Sequence, residues 1–165
     1  MKIRKLLAGV AALCLLGVTS GCSLLGLTQS RDPNAEVTAS TNVDAFSLRL
    51  GDCILTETLM QEEVGSVPVV PCSEPHDAEV IYIFDVNFED FDAYALEEAA
   101  EEECYRAVEE YVGPNWESVS SGGLEVNYLT PTEGSWSNGD REIDCIAYSL
   151  GEELEFTSSM KGAGA

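Results

Sequence analysis

The sequence predicts an α+β domain: an antiparallel sheet of four to five strands, one long helix packed on a face, and two disulfides. Three observations predict it. Ala93 to Val112 carries apolar residues at three- and four-residue steps, the period of an amphipathic helix. Shorter segments on either side alternate apolar with polar residues or are β-branched, as strands are. Cys53, Cys72, Cys104 and Cys145 all fall in or beside these elements. A chain of 165 residues accommodates one such domain with extensions.

The first extension is an export signal. Lys2, Arg4 and Lys5 precede an apolar run from Leu6 to Val18, and the small residues Thr19, Ser20 and Gly21 lead to Cys22. The run is too short to span a bilayer, which takes about 20 apolar residues. Small residues directly before a cysteine resemble the bacterial lipoprotein cleavage box, although Thr19 stands where that box prefers leucine. The resemblance implies a lipoprotein signal peptide over 1–21 and diacylation of Cys22. Two acyl chains hold a protein on a membrane where one is marginal. Leu24, Leu25 and Leu27 leave open an uncleaved helical anchor. Either arrangement puts the domain at the outer face of the cytoplasmic membrane, in the cell envelope. Residues 22–42 then read as the lipidated cysteine and a flexible tether with a reach of roughly 25 Å.

Charge excludes one class of partner. Thirty acidic residues face eight basic ones, a net charge of −22, and three of the basic residues lie in the signal. Such a surface repels phosphate backbones, so no nucleic-acid partner is expected.

The domain itself reads from 43 to 156. Phe46, Leu48 and Leu50 alternate with Ser47 and Arg49, predicting a strand that Gly51 and Asp52 end. Thr56 to Ser66 is polar and reads as loop. Val67 to Cys72 is β-branched, and its two prolines predict an edge or opening strand. Ala78 to Val86 is apolar on both faces, Val80, Tyr82 and Phe84 against Ile81 and Ile83, which predicts the central strand. The acidic stretch Asp85 to Asp92 fails as a calcium loop, with Asp90 at the glycine position and Leu96 at the final glutamate position. It reads instead as the cap of the helix, with Asp90 or Asp92 as N-cap and Gly113-Pro114 as the stop. Leu124, Val126 and Tyr128 predict a one-sided strand. A turn-rich connection from Pro131 to Glu142 follows, then a closing strand with Ile143, Cys145 and Ala147 on one face. The segment 157–165 reads as a flexible tail.

An even set of four cysteines in an exported domain argues for two disulfides, with three pairings possible. Cys53–Cys72 is the favoured local pair, since it joins strands flanking the first long loop. Cys104–Cys145 would then tie the helix to the last strand. Zinc is disfavoured because no C-x-x-C spacing occurs and His76 is the only histidine. No metal and no cofactor are implied.

The stretch Pro71 to Val80, PCSEPHDAEV, holds the candidate site residues His76, Asp77 and Glu79. Pro75 shapes a turn; nothing about a turn requires His76. Period-two alternation puts Asp77 and Glu79 on one side and His76 on the other, which weakens a catalytic arrangement. A structural hydrogen bond at the corner is the expectation for His76, and no catalytic residue is assigned. Trp136, in the turn-rich connection, either stacks on a sugar ring or plugs the edge of the core; the plug is expected.

GDC at Gly51 to Cys53, VPVVPCSEPHDAEV at Val67 to Val80, Cys104 in a helix ending YVG, LEVNYLTPTEGSW at Leu124 to Trp136 and GDREIDCIAY at Gly139 to Tyr148 occur in this order. Together they resemble the septum-formation domain of actinobacterial exported and membrane-anchored proteins, over roughly Phe46 to Lys161. The resemblance implies a role in septum formation in cell division, membrane anchoring and no known reaction. It matches the family's four cysteines and its histidine to Cys53, Cys72, Cys104, Cys145 and His76.

The expectation is therefore a non-enzymatic, membrane-tethered extracytoplasmic lipoprotein that binds an envelope or division protein. One alternative is a wall-acting enzyme using His76 with Asp77 or Glu79. Another is a cation- or glycan-binding module using Asp85 to Asp92, Trp116 or Trp136.

Overall fold

The computed structural model describes residues 30–59, 64–151, 153 and 155–165. The signal segment, Cys22 and the first part of the tether lie outside the described residues.

Six strands form one antiparallel sheet: β1 (Thr41–Asp44), β2 (Cys53–Ile54), β3 (Ser66–Val70), β4 (Ala78–Asp85), β5 (Leu124–Leu129) and β6 (Glu142–Ser149). Their order across the sheet is β1-β3-β2-β4-β6-β5. The α+β class, the long helix and both disulfides are as the sequence predicts; the strand number exceeds the expected four to five. The additional strands are short. β1 has four residues and β2 has two, below the length at which alternation registers in a sequence.

Helix α1 (Ala93–Tyr111) begins where Asp92 accepts hydrogen bonds from the Tyr94 and Ala95 amides at 3.0 and 3.2 Å. It buries Leu96, Ala100, Cys104, Ala107 and Val108. This stripe packs with Ile81, Val126, Ile143, Cys145 and Ala147 on one face of the sheet. A second cluster fills the other face, where Ala45, Ile54, Val67, Val69, Val80 and Ile146 meet. β4 therefore lies in the middle of the sheet and is covered on both sides.

Cys53 is bonded to Cys72 and Cys104 to Cys145, each with Cα atoms 5.2 Å apart. With partners 19 and 41 positions apart in sequence, loop-closure entropy gives roughly 3 and 4 kcal/mol, mainly by restricting the unfolded chain.

Several expectations are corrected. Phe46 to Leu50 is not a strand: the Asp44 carboxylate accepts the Phe46 amide at 3.0 Å and starts a 3-10 turn over Ala45–Ser47. Leu48 is buried, while Phe46 and Leu50 are 62% and 58% exposed, so the alternation marks one anchoring side chain and not a face. β3 is not an edge strand, since β1 and β2 flank it. Pro68 is tolerated because its carbonyl faces Leu55, where the two-residue β2 has already ended and no ladder amide is required. In β4 the pairing shifts at a bulge between Val80 and Tyr82. Val80 thus faces the second cluster while Tyr82 and Phe84 pack toward the helix cluster, contrary to simple alternation.

The flexible tether and tail are also corrected where they are described. Within 22–42, Arg31 forms a bidentate ion pair with buried Asp52 (2.5 Å for both contacts), and β1 pairs with β3. Within 157–165, Met160 is fully buried, and the Gly162 and Gly164 amides donate to the Tyr111 and Val112 carbonyls at 2.9 and 2.8 Å. The tail thereby satisfies carbonyls at the end of α1 that no helical amide can reach. Gly113, at φ +120°, admits it: a Cβ there would sit 2.6 Å from the Gly164 carbonyl carbon.

Candidate functional site

The Pro71 to Val80 block lies at the corner where β3 hands the chain to β4. Beside it runs a groove of about 710 Å³. The loop Arg49 to Asp52 and the segment Asn34 to Val37 form its walls, the Cys53–Cys72 disulfide crosses it, and Glu79, Tyr111 and Ser159 line its inner end. Arg49 and Leu50 are exposed on its rim.

Glu79 is fully buried at the start of β4. Its Oε1 accepts the Tyr111 hydroxyl at 2.7 Å and the Ser159 hydroxyl at 2.6 Å; its Oε2 accepts the Met160 amide. Burial, and then the hydrogen bond to this carboxylate, push the Tyr111 phenol well above its usual range. One carboxylate thus joins the central strand, the last turn of α1 and the tail. A buried acid with this many donors is a structural hub.

His76 is fully buried as well. Its backbone exchanges hydrogen bonds with Phe156 at 3.0 and 3.1 Å, and its Nδ1 donates to the Glu74 carbonyl at 2.8 Å. That bond occupies Nδ1, while Nε2 has no hydrogen-bond partner among the described residues. The ring lies against Phe156, with centroids 6.0 Å apart.

The structure brings His76 and Glu79 together and separates Asp77 from them. Ligand atoms of Cys53, His76 and Glu79 lie within 4.8 Å of one another. This corrects the expected projection, in which His76 opposed both acids. The ladder of β4 begins only at Ala78, so period-two alternation does not extend back through the turn residues His76 and Asp77. Asp77 instead accepts the Thr56 amide at 3.0 Å and the Thr56 hydroxyl at 2.5 Å, securing the 3-10 turn Thr56–Thr58. The Cys53–His76–Glu79 grouping has the residue types of a metal site, but the Cys53 sulfur is committed to its disulfide and Glu79 to three donors. The residues as held do not fit a metal ion.

Trp136 is remote from this corner. It lies in α2 (Glu133–Ser137), a short helix started by a reciprocal cap between Thr132 and Ser135. Its ring is buried in the helix-side core, with Phe91 edge-on at 5.9 Å and the Arg141 guanidinium 3.4 Å from its centroid. In this position it fills the edge of the core.

Sequence reasoning missed Tyr111, Ser159 and Met160 as partners of Glu79, because the tail carries no periodic signal. It also passed over Asp144, between two core residues of β6. Asp144 is 5% exposed, and its Oδ1 has no hydrogen-bond partner among the described residues. Desolvation, then repulsion from Glu142, Asp140 and Asp52, push its carboxyl up to about 7. The signal was present: Ile146 and Tyr148 share the Asp144 face, and apolar residues there mean that the face is covered.

The fold and the corner together define a class: a disulfide-tied α+β domain whose histidine and nearby acids are built into the junction of strand, helix and tail. The family whose model matches residues 18–145 is the one described as septum formation, and the chain belongs to that family. No curated protein and no solved structure matches the chain.

Proposed function

We propose that this protein is a non-enzymatic, membrane-tethered lipoprotein domain that binds an envelope or division partner through the groove over the Cys53–Cys72 disulfide. Membership of the septum-formation family supports the process. The observation that carries the reading is the use made of the Pro71 to Val80 block. Its histidine and glutamate point into the fold and hold the corner, while the disulfide and the Arg49–Leu50 rim face the groove. A groove with a rigid floor and an exposed leucine beside an arginine suits a polypeptide partner, since buried apolar and arginine contacts carry most interface energy.

A tagged protein followed through division, with crosslinking from envelopes, tests this. The wild type is expected to concentrate at septa and to recover a division or wall component. Arg49→Glu with Leu50→Asp is expected to lose that recovery while its melting temperature stays within a degree or two, as both side chains are exposed. Cys22→Ser is expected to leave the membrane fraction. Uniform distribution of the wild type, with no such component recovered, would sink the proposal.

A further inference from the structure

On the face of the sheet away from α1, a cavity of about 280 Å³ opens between β5, β6, α2 and the turn after β1. One wall is apolar, with Ala45, Leu59 and Val64; the other presents Asp144, Glu142 and Thr132. Asp144 is almost entirely withdrawn from solvent, yet one of its carboxylate oxygens has no donor among the described residues. Native structures rarely leave a buried acceptor without a partner, so this oxygen marks a place for a ligand.

The surroundings define the ligand's charge. Glu142 on β6, Asp140 in the turn before it and Asp52 ahead of β2 all act on Asp144, Tyr128 of β5 lines the cavity, and no described lining residue is basic. Asp140 is occupied, accepting from the Ser135 hydroxyl at 2.7 Å and the Glu142 amide at 3.0 Å. Asp144 and Glu142 remain for a cation. Calcium holds its oxygen ligands at about 2.3–2.6 Å and magnesium at about 2.0–2.1 Å, and both need them converged. Among the described residues, Cys53, His76 and Glu79 form the one acid, histidine or cysteine group with ligand atoms that close; Asp140, Glu142 and Asp144 do not. An ammonium on an alkyl stem fits better. Its N–H groups reach separated acceptors, and its methylenes lie along Ala45, Leu59 and Val64. The volume falls just below the roughly 300–1,000 Å³ of ordinary ligand pockets, room for one such group.

We propose that this cavity is a binding site for a primary alkylammonium group, with Asp144 as its counter-ion and Glu142 as a second acceptor. The site stands apart from the groove and does not depend on the reading given to it. Its ligand is either a free amine or a lysine side chain of a partner.

Calorimetry on the full domain with n-butylammonium chloride, and separately with a short peptide containing one lysine, tests it. Because Asp144 must be ionised to bind, affinity is expected to rise about tenfold between pH 6 and pH 8, with a proton released and the heat dependent on the buffer. Asp144→Asn is expected to abolish binding with both disulfides and the cooperative melt retained; Glu142→Gln is expected to weaken it several-fold and serves as the variant if the first does not fold. Binding of the amine alone supports a small-molecule ligand, and binding of the peptide alone supports a partner's lysine. Flat titrations with both probes at pH 8, unchanged binding in Asp144→Asn, or calcium binding in place of the amine would each overturn the proposal.

Discussion

Glu79 and Asp144 are buried carboxylates on neighbouring strands of one sheet, and the protein treats them in opposite ways. Glu79 faces α1 and the tail and receives three donors. Asp144 faces the other side and retains an oxygen without one among the described residues. Burial is nearly the same, so what separates them is the supply of hydrogen bonds. A buried acid with its donors in place fastens elements together, whereas one without them is held at a cost and is free to receive a ligand.

The largest effect is expected at Glu79. Replacing it with alanine strands the Tyr111 and Ser159 hydroxyls and the Met160 amide inside the fold. The loss should be roughly 3–5 kcal/mol, measured by urea unfolding, with faster proteolysis at the tail. A loss below about 1 kcal/mol would break the comparison, because Glu79 would then not be a fastening group.

Asp144→Asn is expected to change stability in the other direction. Asp144 ionises near 4 when unfolded and at about 7 in the fold. The unfolded chain therefore gives up its proton first, and stability present below about pH 4 is lost as the pH rises to 7. Asp144→Asn removes that dependence. At pH 8 the variant should gain on the order of 2–4 kcal/mol, and its stability should vary less between pH 4 and 7 than that of the wild type. A wild type with no decline over that window would show that Asp144 is not held against ionisation.

Asp77 sharpens the comparison from between the two. It is partly exposed and satisfied locally by Thr56. Asp77→Ala should cost about 1 kcal/mol, with no change at the tail. A larger loss would mean that the 3-10 turn Thr56–Thr58 supports the corner more than its one side-chain anchor implies.

The fold was legible wherever one face of a long element meets the core. Leu96, Ala100, Cys104 and Val108 announce the helix and its buried side, and Cys104 on that stripe points to Cys145. What was not legible depends on partners distant in sequence. β1 and β2 are too short to alternate and exist because β3 and β4 offer edges. The bulge in β4 inverts the side on which Val80 lies relative to Tyr82, and no residue in that apolar run signals it. At the site, the block Pro71 to Val80 was found, but its meaning lay in Ser159 and Met160, about 80 residues downstream of Glu79. The corner is written in one stretch and completed by another.

The Cys53–Cys72 bond also decides how the molecule responds to a pull on its N-terminal side. Tension entering through residue 53 crosses the sulfurs directly to residue 72, so the chain between them, including β3, lies outside the covalent path and is loaded only through its hydrogen bonds. Everything ahead of Cys53 bears the load first: the Arg31–Asp52 pair and the β1 ladder on β3. Asp52 and the segment Asn34 to Val37, which also precede Cys53, border the groove, which makes it the first part of the domain to open under force. The corner around Glu79 stays shut behind a covalent stop.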